Sequence, residues 1–158
     1  MLNSNEVRNV ENKQRQKLKE LLSSTNYVIA FAKDIYSKVD GFIISQDGTE
    51  RYTIETKWYG NKNHIRLTTK YDDYMIDFSK LYALEKEAKK NNSIPLLICF
   101  FSNELVIWDI SRCNWRSTKK NENVNKEGLN YGRKEKSDMA YLYFEDAIYR
   151  NKNITPFN

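Results

Sequence analysis

Glycine and proline are scarce, five and two in a chain of 158 residues. That excludes collagen-like, linker-like and other low-complexity classes. There is one histidine, His64, so a serine-hydrolase triad would have to be built on it, and nothing around it supports that. The two cysteines, Cys99 and Cys113, are too few for a disulfide framework and cannot make a zinc site without help. Neither GxGxxG nor GxxxxGK[ST] occurs, so the usual phosphate-cradling loops are absent. The longest apolar run, 94–101, contains Pro95 and falls far short of the roughly 18–20 residues of a membrane span. The N-terminus has no basic stretch followed by an apolar one, as a secretory signal would need. The expectation is an intracellular, cytoplasmic protein with reduced cysteines and no membrane partner. Any chemistry must come mostly from carboxylates and lysines.

What is present describes a globular chain. Hydrophobic residues make up 40% and aromatics 13%, which excludes disorder for most of the length. The size suits one domain over 1–158, hiding roughly 70% of the surface that its unfolded chain exposes. The formal net charge is +5. The segment 112–136 holds eight basic and three acidic residues, an excess that equals the whole net charge. Trp115 and Tyr131 lie within it. Basic groups with interleaved aromatics suit a phosphate backbone with unpaired bases; a solvated, solubilising loop has the same composition.

Residues 5–23 read as an amphipathic helix with Ser4 or Asn5 as cap. Val7, Val10, Leu18 and Leu21 cluster on one face at about 100° per residue, with Leu22 at its flank. Glu11 falls roughly 45° from the centre of that face and Gln14 closer still. A carboxylate aimed at a core is costly unless it is paired, so Glu11 is either a functional group or an edge residue that reaches solvent. Residues 27–32 predict a buried strand. Residues 39–45 and 51–58 predict two more, joined at Asp47-Gly48, a dipeptide suited to a type I′ hairpin turn with positive φ at both central residues. Residues 61–70 form a polar stretch. A helix is expected over 78–90 with Asp77 as cap, then a strand at 96–101 covered on both faces, and another at 105–110. After the basic segment, 139–144 predicts a strand and 145–150 a short helical end. The order is α-β-β-β-α-β with additions: an α/β domain with a mixed central sheet and a core of about 5–110.

Hairpin arithmetic then gathers candidate chemistry. With Asp47 and Gly48 as the loop, paired residue numbers sum to 95, which sets Asp40 opposite Glu55 with Cβ atoms about 5 Å apart. Lys57, two residues on, shares the face of Glu55. Two carboxylates so placed repel, and a divalent cation with a preference for oxygen, Mg²⁺ or Mn²⁺, removes that cost. A lysine beside such an ion can position water or stabilise charge on a phosphoryl transition state. Glu11 could reach the same ion or a second one. A surface cluster of Asp, Glu and Lys on a solvated sheet face is the alternative.

These residues resemble the PD-(D/E)XK nuclease superfamily, whose restriction-endonuclease-like and Holliday-junction-resolvase-like members share the αβββαβ core. They carry an Asp at the start of the second strand and (Asp/Glu)-x-Lys on the third. Here that is Val39-Asp40-Gly41-Phe42-Ile43-Ile44, fourteen intervening residues after Asp40, and Glu55-Thr56-Lys57. Val39 stands where the superfamily's name has proline. The resemblance covers roughly 5–110. It implies Asp40, Glu55 and the Thr56 carbonyl as metal ligands, Glu11 as a further ligand from the first helix, and Lys57 as the catalytic lysine. The expected function is a Mg²⁺- or Mn²⁺-dependent endonuclease, with DNA favoured over RNA as partner and a homodimer left open. Lys62, Arg66, Lys119, Lys120, Arg133 and Lys134 are the expected backbone contacts. A catalytically inactive nucleic-acid-binding module of the same fold is the alternative, and a protein–protein adaptor a third reading.

Overall fold

The computed structural model describes residues 4–34, 36–58, 73–101, 104–125 and 134–154. Helix α1 (Ser4–Leu22) leads into strands β1 (Tyr27–Phe31), β2 (Gly41–Ser45) and β3 (Arg51–Trp58). Strand β4 (Asp73–Asp77) runs directly into helix α2 (Phe78–Lys90), followed by β5 (Ile94–Phe100) and β6 (Leu105–Asp109). Two 3-10 turns (Ile110–Arg112 and Trp115–Thr118), β7 (Lys120–Asn125), β8 (Lys134–Tyr143), a third 3-10 turn (Phe144–Asp146) and β9 (Tyr149–Asn151) complete the order.

A six-stranded sheet has the order β1-β2-β3-β5-β6-β9, and a smaller one the order β4-β8-β7. In the large sheet β3 and β5 are parallel and every other neighbour is antiparallel. The parallel pair requires a crossover, and α2 supplies its return limb, ending just before β5 begins. Strand β5 is covered on both faces, as its near-continuous apolar sequence predicts. Leu97 and Cys99 join one cluster with Leu81 and Leu84 of α2 and with Tyr74, Ala140 and Leu142 of the small sheet. Leu96, Ile98 and Phe100 join the other, closed by Leu18, Leu21 and Leu22 of α1. The side chains of Val7 and Val10 lie outside the described ones.

The β2–β3 register pairs Gly41 with Ile54, Phe42 with Thr53 and Ile44 with Arg51, so paired numbers sum to 95 as the hairpin predicts. The turn is not type I′, however. Gly48 alone among the turn residues has positive φ, at 73°. Its N–H donates to the Ser45 carbonyl, while the Asp47 carboxylate accepts from the Ser45 and Thr49 hydroxyls. At the other end the regular pairing stops before Asp40. The Asp40 N–H donates to the Ile54 carbonyl, a one-residue slip like that of a bulge. Gly41 is required here because a Cβ would collide with the carbonyl oxygen of Ala30 on β1.

Other expectations need correction. Strand β1 is an edge strand with alternating exposure, not a buried one, and Val28 is 59% exposed. Strand β4 was not anticipated. Segment 112–136 contains the end of one 3-10 turn, the whole of a second, β7 and the start of β8, and its Trp115 is buried, so it is no plain loop. The end expected to be helical, 145–150, holds a single 3-10 turn and edge strand β9. Arg150 of β9 binds the fully buried Glu104 through two bonds of 2.6 and 3.0 Å, which fastens that strand. No helix among the described residues is long and apolar enough to cross a membrane.

Candidate active site

Strand β3 alternates between the two cores. Ile54 enters the cluster under α1, so Glu55 faces α2. Glu55 is 5% exposed. Its neighbour on β5 is Leu97, and that of Lys57 is Cys99. The Lys57 ammonium lies 3.6 Å from Glu55 Oε1. A second ammonium, that of Lys80 in the first turn of α2, lies 3.9 Å from the same oxygen. Because α2 ends at the start of β5, its first turn comes to the C-terminal end of β3, which accounts for Lys80.

Asp40 enters from the other side of the hairpin. The slip at Gly41 places its carboxylate beside Thr56, and Oδ2 accepts from the Thr56 N–H at 2.7 Å and the Thr56 hydroxyl at 2.8 Å. Burial pushes the Glu55 carboxyl from its ordinary 4.5 up to about 7, and the Asp40 charge pushes the same way; Lys57 and Lys80 oppose both. Two carboxylates and two ammonium groups balance in formal charge here, so the raised value reflects burial first and the nearby Asp40 carboxylate second.

These groups line an open cleft of about 300 Å³ together with Glu11, Gln14 and Arg15 of α1, and Trp58 at the end of β3. Trp58 forms a firm wall, stacked on Phe100 at 3.9 Å between ring centres. Glu11 is exposed at the cleft. Among the described residues no three His, Cys, Asp or Glu side chains gather closely enough to hold one ion, so Glu11 does not complete a ligand set with Asp40 and Glu55 in this geometry. A separate cleft of about 400 Å³ on the small sheet, lined by Asp73, Cys113 and Tyr141 among others, shares no residue with the first. Burial pushes the Cys113 thiol up to about 11, which leaves it a poor nucleophile.

Asp40, Glu55, Thr56, Lys57 and Glu11 thus border one cleft. Lys119 and Lys120 do not: the first lies over Phe78 and 3.4 Å from Asp138, the second over Tyr141. Lys62, Arg66 and Arg133 lie outside the described residues, as does the side chain of Lys134. Sequence reading missed Lys80 and Arg15. A faint signal existed for each. Lys80 is a cation in a first helical turn, where the helix dipole disfavours it. Arg15 follows Glu11 at the spacing of a helical ion pair.

No protein-family model matches the sequence, and no curated protein matches it. Among solved structures the chain is similar to Hjc, a Holliday junction resolvase from the archaeal hyperthermophile Archaeoglobus fulgidus. The TM-score is 0.54 at 7% identity, covering 87% of this chain and 88% of that one. At that identity the likeness concerns the fold, a mixed α/β fold of the restriction-endonuclease-like type.

Proposed function

We propose that this chain is a Mg²⁺- or Mn²⁺-dependent nuclease of the PD-(D/E)XK type that hydrolyses phosphodiester bonds in DNA. The observation that carries the reading is Glu55, a buried carboxylate in an open polar cleft with Asp40 and two lysines around it. Apolar residues of similar volume would serve stability as well or better, whereas perturbed carboxylates in clefts are a mark of function. The resolvase named above supports DNA, branched DNA included, as the substrate class.

The donor set fits a hard divalent cation. Mg²⁺ takes one or two carboxylates and keeps several waters, and two carboxylates are what Asp40 and Glu55 offer. They would hold the ion, with the Thr56 carbonyl as a further oxygen ligand and Glu11 at the rim. When bound, the ion would supply a lowered water pKa and a polarised phosphoryl oxygen. Thr56 fixes the direction of the Asp40 carboxylate. Lys57 orients water and balances the negative charge that grows at phosphorus. Lys80 adds a second ammonium on the opposite wall and keeps Glu55 in place. Lys119 and Lys120, at the entry to β7 of the small sheet, with Lys62, Arg66, Arg133 and Lys134, are the proposed backbone contacts.

The second reading is a binding module without turnover. It is favoured by the pairing of Glu55 with both lysines and by the lack of a three-ligand cluster among the described residues. The separating experiment incubates the protein with labelled single-stranded, duplex and branched DNA and RNA, in Mg²⁺, Mn²⁺ or EDTA. Metal-dependent cleavage of a DNA substrate is expected. Tight binding with no cleavage across that panel would leave the module.

A further inference from the structure

Helix α1 carries Arg15 four residues after Glu11, with the glutamate N-terminal, the order that favours an ion pair. The pair is not made. Among the described residues no carboxylate lies within 4.0 Å of the Arg15 guanidinium. The guanidinium instead lies 5.1 Å from the centre of the Phe31 ring on β1, half-buried at the wall of the cleft. Lys19, one turn on, comes within 5.8 Å of the same ring. Like charges four residues apart on a helix repel. Lys19 has a local reason for its place, since it sits in the last turn, where the helix dipole favours a cation. Arg15 has none.

The other cations of the cleft, Lys57 and Lys80, are committed to Glu55. Arg15 is thus the cleft cation that no described carboxylate neutralises. It is partly desolvated, and an aromatic shelf restricts its orientation. A guanidinium so held presents its fork to an anion with little ordering left to do, and a phosphate matches that fork in charge and shape. We propose that Arg15 is a substrate-binding residue that grips a non-bridging phosphate oxygen pair of the DNA strand in the cleft, with Phe31 as the support that aims it. The inference rests on the nuclease reading and adds a contact on α1, on the wall across from Lys80.

The test measures binding apart from turnover. Fluorescence anisotropy with labelled duplex and single-stranded DNA is run in EDTA between about 50 and 200 mM salt. It compares wild type, Arg15→Ala, Arg15→Lys and, as a control, Lys89→Ala on the remote end of α2, with folding of each checked by circular dichroism. Arg15→Ala is expected to weaken binding by roughly tenfold or more and to lower the salt slope by about one, the share of a single phosphate contact. Arg15→Lys should keep the slope yet bind several-fold more weakly than wild type, because charge remains and the fork is lost. Lys89→Ala should match wild type. If wild type binds DNA and a folded Arg15→Ala binds it equally well with the same slope, the inference is overturned and the nuclease reading stands. If wild type binds none of the DNA, both fall together.

Discussion

Thr56 donates twice to one oxygen of Asp40, from its backbone N–H at 2.7 Å and from its hydroxyl at 2.8 Å. That relationship fixes a carboxylate which the slip at Gly41 would otherwise leave at the loose end of a strand. The backbone bond survives substitution and the hydroxyl bond does not. Thr56→Val should therefore keep the fold and weaken Mn²⁺ binding by about tenfold, the lower end for a group that orients a metal ligand. Calorimetric titration of Mn²⁺ into both proteins checks this. Equal affinities would mean that the hydroxyl is idle.

The two lysines of Glu55 should differ in what their loss does. Lys57 shares its strand and lies 3.6 Å away; Lys80 reaches in from α2 and is more exposed. Loss of one preorganised group that acts on transition-state charge costs about 10²–10³ in rate. Lys57→Ala should pay that in metal-dependent cleavage while DNA affinity stays within a few-fold, since it is one cation among many. Lys80→Ala should cost less. Cleavage by Lys57→Ala at the wild-type rate would place the chemistry elsewhere.

Stability without metal should carry the mark of Glu55. Its carboxyl is raised from 4.5 in the ordinary case to about 7 in the fold, mainly by burial and then by Asp40. The folded state thus binds a proton more tightly than the unfolded state. The stabilisation is fully present below about pH 4.5 and is lost as pH rises through about 7. At about 1.4 kcal/mol per unit, the loss is roughly 3 kcal/mol. Glu55→Gln, which stays neutral, should escape it. In EDTA, urea denaturation should show the variant gaining on wild type between pH 5 and pH 8. Parallel pH profiles would show that Glu55 is not desolvated as described.

Much of this site was legible in the sequence because β-hairpin register is arithmetic. Once Asp47-Gly48 marked the turn, the sum of 95 followed, although Asp47 does not take the positive φ of a type I′ turn. The slip at Asp40 was not legible. It depends on Gly41 lying against the Ala30 carbonyl, a contact between strands that no local pattern records. Lys80 was hidden for a related reason: its partner is 25 positions away, and only the placement of α2 over β3 joins them. Strand β4 escaped notice because Met75 is exposed between buried Tyr74 and Ile76, so its apolar run shows no alternation. Strand β7 reads Lys-Asn-Glu-Asn-Val-Asn, poor in residues that favour strands. Its pairing with β8 makes it one. The helices and the buried β5 were plain because their periodicities reflect burial directly.

The central claim is that Asp40 and Glu55 jointly hold a divalent ion for phosphodiester cleavage. The most direct measurement is the initial rate at which wild type and Glu55→Gln cut labelled branched and duplex DNA across a Mn²⁺ titration, with DNA affinity measured in parallel. The account predicts a wild-type rate that rises and saturates with Mn²⁺ and vanishes in EDTA. It also predicts a Glu55→Gln variant that binds DNA within a few-fold of wild type and does not cut it. Cutting by wild type that is indifferent to metal, or a Glu55→Gln variant as fast as wild type, would contradict it.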